Sequence, residues 1–257
     1  MTAIIERKRS IIPACDIEFR RFVELLKATK DLEVVQAHKL GIAAIGDGLN
    51  TWVQAVKDYT GARAIYDHQK AATDIHEMTP QRFMDVMVKA KVDAVILFPQ
   101  SGPASQYEWT RAAQERNLGV IVGGEMTHPR FLDGDVGEGK KNYTEIFRQL
   151  GIERPLPGYI RASAPEDIYE LAARMGVTHF VVPGNKPEKI RKYKSLVEIC
   201  GIVNPVLFSP GLVKQGGSIT EGGKAAGEFW HAIVGRDVYE KEDMKAAVLE
   251  HASQLVE

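Results

Sequence analysis

The feature that most constrains the fold is a repeated alternation of short apolar runs with longer amphipathic segments. Eight runs of strand length, rich in apolar and β-branched residues, occupy positions 11–15, 34–40, 62–66, 94–98, 120–123, 179–182, 205–209 and 231–234. Segments with the three- and four-residue apolar spacing of a helix face lie between them, at 19–29, 49–59, 79–89, 107–117, 165–175, 187–200 and 222–229. Apolar strands that alternate with helices predict a parallel sheet covered on both faces.

The number of these units favours a closed barrel over an open sheet. Eight units in 257 residues suit a (β/α)8 barrel, the TIM barrel. No GxGxxG follows the first strand and no Walker loop occurs, which argues against the open nucleotide-binding folds. The Gly- and charge-rich stretch 132–157 predicts an insertion with a helix near 143–150. With no internal repeat and no domain boundary, we expect residues 1–257 to form a single (β/α)8 barrel domain.

Composition excludes several classes of partner. The formal net charge is −1 and the basic residues are scattered, so no broad basic surface is expected and nucleic acid is not an expected partner. No apolar run approaches the roughly 20 residues of a membrane span, and the N-terminal residues lack a signal-peptide pattern. Cys15 and Cys200 lie in apolar contexts, without a zinc-ligand pattern, and are expected to be buried free thiols. A cytoplasmic protein without a membrane partner is therefore expected.

Polar residues occur at the carboxyl end of each predicted strand. In chain order they include Asp16, Lys39, Asp67, Ser101, Thr127, Asn185, Gln215 and Arg236. The carboxyl ends of all strands of a barrel open on one face, which is where barrel enzymes hold their sites. The sequence therefore predicts a functional site at that face.

Two of these strand ends suit a phosphate group. The stretch SPGLVKQGG follows the seventh strand, and its glycines let backbone N–H groups approach an anion. Gln215 adds an amide donor beside Pro210 and Gly216. After the eighth strand, Gly235 and Arg236 supply a helix start and a guanidinium. Loops seven and eight hold phosphate in many barrels, so we predict a phosphate site there.

Taken together, the motifs resemble a known family. EMTHP after strand five is similar to the Glu-Met-Ser-His-Pro of the orotidine 5′-monophosphate decarboxylases, and SPGLVKQGG to their Pro-Gly-x-x-x-Gln-Gly-Gly phosphate loop. VVPGNKPEKI and HAIVGRDVY resemble the family's segments at strands six and eight, in the same order. The resemblance covers nearly the whole chain. It implies decarboxylation of orotidine 5′-monophosphate (OMP) to UMP in pyrimidine biosynthesis, with no metal or organic cofactor.

The resemblance also implies which residues act in the reaction. The family has an Asp-x-Lys-x-x-Asp motif after strand three, preceded by a lysine on strand two and followed by a hydrophobic residue. The matching residues here are Lys39, Asp67, Lys70, Asp74 and Ile75. The spacing is one residue wider on each side of Lys70, and His76 stands where the family has Pro or Gly. A bulge or a wider turn can absorb the two extra residues; otherwise they move Lys70 out of line.

The resemblance implies one group of residues at the reacting pyrimidine and the ribose, and another group at the phosphate. Lys70 holds positive charge near C6 of the pyrimidine and delivers the proton, while Asp67 faces the substrate carboxylate. Lys39, Asp74 and Asp16 fix the charge network and the ribose, and Asp74 reaches in from the neighbouring subunit of a homodimer. Thr127 contacts the edge of the pyrimidine, and Ile75 is a further substrate-binding residue. The phosphate is held by Gln215, Gly235 and Arg236, and Pro210 and Gly216 of the phosphate loop are further substrate-binding residues.

The residues leave other interpretations open. Asp67, Lys70 and Asp74 could form a structural ion-pair cluster, and His68 and His76 could act as bases, although packing in the widened loop or a subunit interface is favoured for both. Glu125 and His128 are interpreted as structural. Two other functions remain: a magnesium-dependent sugar-phosphate enzyme of the same barrel, and a barrel that binds a nucleotide phosphate without turnover.

Overall fold

The chain folds into the (β/α)8 barrel that the alternation predicts. A computed structural model describes residues 4–68, 71–75 and 77–255. Within them, eight parallel strands follow the order β1-β8-β7-β6-β5-β4-β3-β2. The strands are β1 (Arg9–Pro13), β2 (Ala37–Leu40), β3 (Arg63–Asp67), β4 (Ala94–Leu97), β5 (Gly119–Gly123), β6 (His179–Val181), β7 (Val206–Ser209) and β8 (Trp230–Val234). Each overlaps a predicted strand, and the largest difference is at β2, predicted from 34 and observed from Ala37.

Helices follow the strands and cover the outside of the barrel. They are α1 (Phe19–Thr29), α2 (Ala44–Asp47), α3 (Leu49–Thr60), α4 (Thr79–Lys89), α5 (Pro103–Glu115), α6 (Tyr143–Gln149), α7 (Ala164–Arg174), α8 (Pro187–Ile199), α9 (Ile219–Ala226), α10 (Arg236–Tyr239) and α11 (Met244–Ala252). The predicted insertion helix is α6, and α10 begins at the helix start predicted at Arg236, whereas α2 and α11 were not predicted. No helix among the described residues has the length and apolar character needed to cross a membrane.

The barrel closes where the first strand meets the second. The backbone N–H of Ile11 donates to the carbonyl of Val34 at 3.0 Å, and that of Cys15 donates to the carbonyl of Lys39 at 2.8 Å. Ala14 and Lys39 form an isolated parallel bridge at the same seam. Lys39 is therefore held by backbone contacts at the carboxyl end of the barrel, where a polar side chain can reach the barrel mouth.

Alternation along each strand separates two apolar layers. Ile65 points into the barrel and packs with side chains from the other strands, whereas Tyr66 packs outward among the residues beneath the helices. Because successive strand residues face opposite sides, Asp67 shares the inward face with Ile65, and Lys39 shares it with Ala37. The tryptophans at 52, 109 and 230 are at most 1% exposed and belong to the outer layer.

Candidate active site

A cavity of about 250 Å³ opens at the carboxyl ends of the strands. Eight of the residues predicted for the site line it: Asp16, Lys39, Asp67, Thr127, Pro210, Gln215, Gly235 and Arg236. These residues come from six different strand ends, and only the barrel brings them together. Gly216 is next to this lining, with a φ of +93° that favours glycine at the turn after Gln215.

A lysine between two carboxylates forms one side of the cavity. The Nζ of Lys39 donates to Oδ2 of Asp67 at 2.7 Å and lies 3.9 Å from Oδ2 of Asp16. The side chains of Lys39 and Asp67 are 10% and 12% exposed, and that of Asp16 is 49% exposed. The pair therefore sits at the boundary between the barrel interior and the cavity, where each charge needs a partner.

The protonation of Lys39 follows from this arrangement. Burial by itself would lower the pKa of the Lys39 ammonium, but the negative charges of Asp67 and Asp16 outweigh it and raise the pKa above its usual value. Lys39 is consequently a fixed cation at neutral pH. It holds Asp67 in place and supplies a donor toward the cavity.

Gly41 makes room for Asp16. A Cβ at position 41 would lie 2.0 Å from Oδ1 of Asp16, well inside any permitted contact. The backbone after β2 therefore passes directly beside the carboxylate, and only glycine leaves that carboxylate free to approach Lys39.

The opposite end of the cavity is built by the loop after β7. The hydroxyl of Thr127 donates to Oε1 of Gln215 at 2.8 Å, which leaves the amide N–H groups of Gln215 available to a ligand. The backbone N–H of Val213 donates to the carbonyl of Gly217 at 2.7 Å, and that of Gly217 donates to the carbonyl of Gly211 at 3.1 Å. These bonds fold the loop back on itself.

Backbone strain accompanies this folding. Val213 has a φ of +54°, a left-handed conformation that is unfavourable for a β-branched residue. A Cβ at Gly217 would lie 2.7 Å from the carbonyl oxygen of Gly211 and 2.9 Å from that of Gly184, so the loop is pressed closely against the loop after β6.

The β3 loop is placed differently from the two ends of the cavity. Asp74 is exposed, its Oδ1 accepts the backbone N–H of Ile75 at 2.7 Å, and Ile75 is 61% exposed. Neither lines the cavity of this subunit. Lys70 and His76 lie outside the described residues. The roles of Lys70, Asp74 and Ile75 therefore stay predictions.

His68 points to the outer layer of the barrel. Its Nδ1 lies 2.9 Å from the hydroxyl of Tyr66, and its ring packs near Tyr66 and Phe83. It does not line the cavity. This placement agrees with the interpretation of His68 as a packing residue.

Glu125 is likewise part of the scaffold. It is 2% exposed, its Oε1 accepts from Nζ of Lys186 at 2.7 Å, and its Oε2 accepts from the hydroxyl of Tyr193. Lys186 thus compensates the charge of a buried carboxylate after β5, and the neutral hydroxyl of Tyr193 adds a hydrogen bond. The adjacent His128 is exposed and contacts the carbonyl of Pro129 through Nδ1 at 3.0 Å, so it too serves local structure.

Sequence reasoning did not assign several residues that shape the cavity. Phe98, Met126, Lys214, Asp237 and Tyr239 line it. Phe98 belongs to none of the quoted motifs, whereas Met126 lies in EMTHP, and Asp237 and Tyr239 lie in HAIVGRDVY. Lys214 lies inside the phosphate-loop motif, at a position where the family pattern leaves the residue open, and a charge count of that loop would have singled it out.

Sequence comparison finds curated relatives along nearly the whole chain. Orotidine 5′-phosphate decarboxylase of Methanococcus maripaludis is 25% identical over 232 residues, which are 90% of each chain. The enzyme of the same name from Methanosarcina mazei is 27% identical over 252 residues, 98% of this chain and 97% of the relative. No protein-family model matches the chain.

Comparison with solved structures finds the same barrel. The orotidine 5′-monophosphate decarboxylase of Methanocaldococcus jannaschii complexed with the inhibitor BMP superposes with a TM-score of 0.74, at 22% identity, over 97% of this chain and 99% of that one. The Pyrococcus horikoshii enzyme superposes with a TM-score of 0.70, at 21% identity, over 95% and 98% of the two chains. Over nearly its whole length the chain is thus similar, at 25% and 27% identity, to curated proteins named orotidine 5′-phosphate decarboxylase.

Proposed function

We propose that this protein decarboxylates OMP to UMP without a metal or organic cofactor. The observation that carries the proposal is the composition of one cavity: a buried Lys39–Asp67 pair at the ends of β2 and β3, and phosphate-loop residues at the ends of β7 and β8. In the eight-stranded order, β7 lies four strands from β3, across the barrel mouth. A nucleotide spanning the cavity can therefore place its phosphate at one end and its base at the other.

The phosphate end anchors the substrate. In the proposal, Gln215, Gly235 and Arg236 bind the phosphate, with Gly216 and Pro210 shaping the loop around it. Arg236 takes part in no ion pair among the described residues, so its guanidinium is available to an anion. Binding energy from this remote group can be used to close the loop and to stabilise the transition state.

The reactive end acts on C6 of the pyrimidine. The bond between C6 and the carboxylate breaks, CO₂ leaves, and the electron pair remains on C6. Asp67 faces the substrate carboxylate, where its negative charge favours departure of CO₂. Lys70 stabilises the developing negative charge and delivers a proton to C6, which yields UMP. Thr127 and Ile75 position the pyrimidine, while Asp16, Lys39 and Asp74 hold the ribose and the charge network.

The proposal includes a homodimer with a site shared across its interface. Ile42 and Ile45 follow β2 and are 62% and 52% exposed, while Ile75 and Met78 follow β3 and are 61% and 57% exposed. Exposed apolar residues on neighbouring loops of the barrel mouth suit a covering partner. A second copy of this chain would bring its own Asp74 to the interface. We further propose a cytoplasmic location, in keeping with two free cysteines.

The test is decarboxylation of OMP in excess EDTA, followed by loss of the orotate absorbance. We expect turnover by the native protein, and a rate loss of about 100-fold or more for Lys70→Ala because general acid catalysis is removed. Lys245→Ala is the matched control, since Lys245 is an exposed lysine on α11 outside the cavity.

Three outcomes would contradict parts of the proposal. Absence of turnover with or without magnesium would refute the decarboxylase, and sugar phosphates with magnesium would then be tried. Turnover that depends on magnesium would refute cofactor independence. A Lys70→Ala rate equal to that of Lys245→Ala would refute the role of Lys70.

A further inference from the structure

Lys214 occupies a position where three loops meet. It lines the cavity next to Gln215, and its backbone carbonyl accepts a hydrogen bond from Nζ of Lys140 at 2.9 Å. Its own Nζ lies 3.5 Å from Oε2 of Glu240, the residue that follows α10. The lysine thus connects the loop after β7, the insertion after β5 and the segment after β8.

The ion pair of Lys214 is weakly held. The side chains of Lys214 and Glu240 are 45% and 50% exposed, and exposed pairs of this kind contribute little to stability. The backbone bond from Lys140 holds the main chain of Lys214 independently of its side chain. The ammonium can therefore exchange Glu240 for another anion in the cavity while the loop keeps its position.

Charge balance at the phosphate end calls for a second cation. A phosphate monoester carries nearly two negative charges at pH 7. Arg236 supplies one positive charge, and Gln215 is neutral. Lys39 is compensated by Asp67 at the other end of the cavity. Asp237 lines the phosphate end as well, with Oδ2 3.0 Å from Nε2 of His251, and adds a negative charge nearby. One guanidinium leaves this end short of positive charge when the ligand is bound.

We propose that Lys214 is a second phosphate-binding cation, which leaves Glu240 and contacts the 5′-phosphate when a nucleotide enters the cavity. This inference deepens the proposed function, on which it rests for the identity of the ligand. A phosphate monoester is a ligand that the guanidinium of Arg236 and the ammonium of Lys214 can bind together.

The experiment compares UMP and uridine binding by isothermal titration calorimetry. For Lys214→Met we expect the dissociation constant of UMP to rise about 10- to 100-fold, as for a lost charge-assisted hydrogen bond, and that of uridine to stay unchanged. Glu240→Gln should tighten UMP binding about two- to fivefold because Lys214 then has no competing partner. Lys224→Met is the control, because the Lys224–Glu221 pair is similarly exposed and lies outside the cavity.

The possible outcomes distinguish a lost phosphate contact from damage to the loop and from a loss of OMP decarboxylation. UMP binding equal in Lys214→Met and Lys224→Met would overturn the proposal. Equal weakening of UMP and uridine would also overturn it, because that result indicates damage to the loop. Since UMP binding needs no turnover, a protein that fails to decarboxylate OMP but loses UMP affinity in Lys214→Met would refute the proposed reaction and support the role of Lys214.

Discussion

Replacing Lys39 by methionine tests the energetic role of the buried charge cluster. The change removes the ammonium that lies 2.7 Å from Asp67 and 3.9 Å from Asp16, and it leaves Asp67 only 12% exposed without its cation. Removing one partner of a fully buried ion pair costs about 3–5 kcal/mol. Because the cavity admits some water to this pair, we expect the free energy of unfolding to fall by about 3 kcal/mol.

The assay is urea unfolding at pH 7 without ligand. A double-variant cycle adds Asp67→Asn, which removes the charge that Lys39 compensates. We expect the combined variant to be more stable than the sum of the single losses predicts, with a coupling of about 1.5–3 kcal/mol. Lys224→Met, in an exposed pair, should change the free energy by less than about 1 kcal/mol. A Lys39→Met loss as small as that of Lys224→Met, or strict additivity in the cycle, would refute the reasoning.

Two further predictions concern a glycine and the buried histidines. Gly41→Ala should weaken UMP binding about tenfold with little change in melting temperature, because the new Cβ displaces Asp16. The control is Gly46→Ala, where the new Cβ meets open space, and its calorimetric titration with UMP should match that of the native protein. The free energy of unfolding should also fall as the pH drops from about 6.5 toward 4, by roughly 1.4 kcal/mol per pH unit for each of three buried histidines. In this range the histidines bind a proton in the unfolded chain but stay neutral in the folded chain. Burial lowers these pKa values from 6.5 to about 3 or about 4 in His38, His179 and His231. Equal unfolding free energies at pH 7.5 and 5 would contradict this prediction.

Some of the fold can be read from the sequence because local patterns encode it. Short and mostly apolar runs such as Ala94–Leu97 and Trp230–Val234 are typical of buried strands, and their alternation with amphipathic segments predicts a parallel barrel. The helix α11 was missed because its apolar side chains are not confined to one face, so helical periodicity gives no clear signal. The four-residue helix α2 is too short to show a periodic pattern, and α10, of the same length, was indicated only by its start at Arg236.

In the candidate site, too, the sequence determined some features and the tertiary structure determined others. The sequence by itself determined which residues stand at strand ends, because chain order and strand length place Asp16, Asp67, Thr127, Gln215 and Arg236 there whatever their neighbours are. Only the tertiary structure decided their partners. Lys39 meets Asp67 because β2 and β3 pair in a particular register, Glu125 is compensated by side chains from the β6–α8 region, and Lys214 meets Glu240 across two loops. Such pairings depend on distances between segments far apart in the chain, which local sequence patterns do not encode.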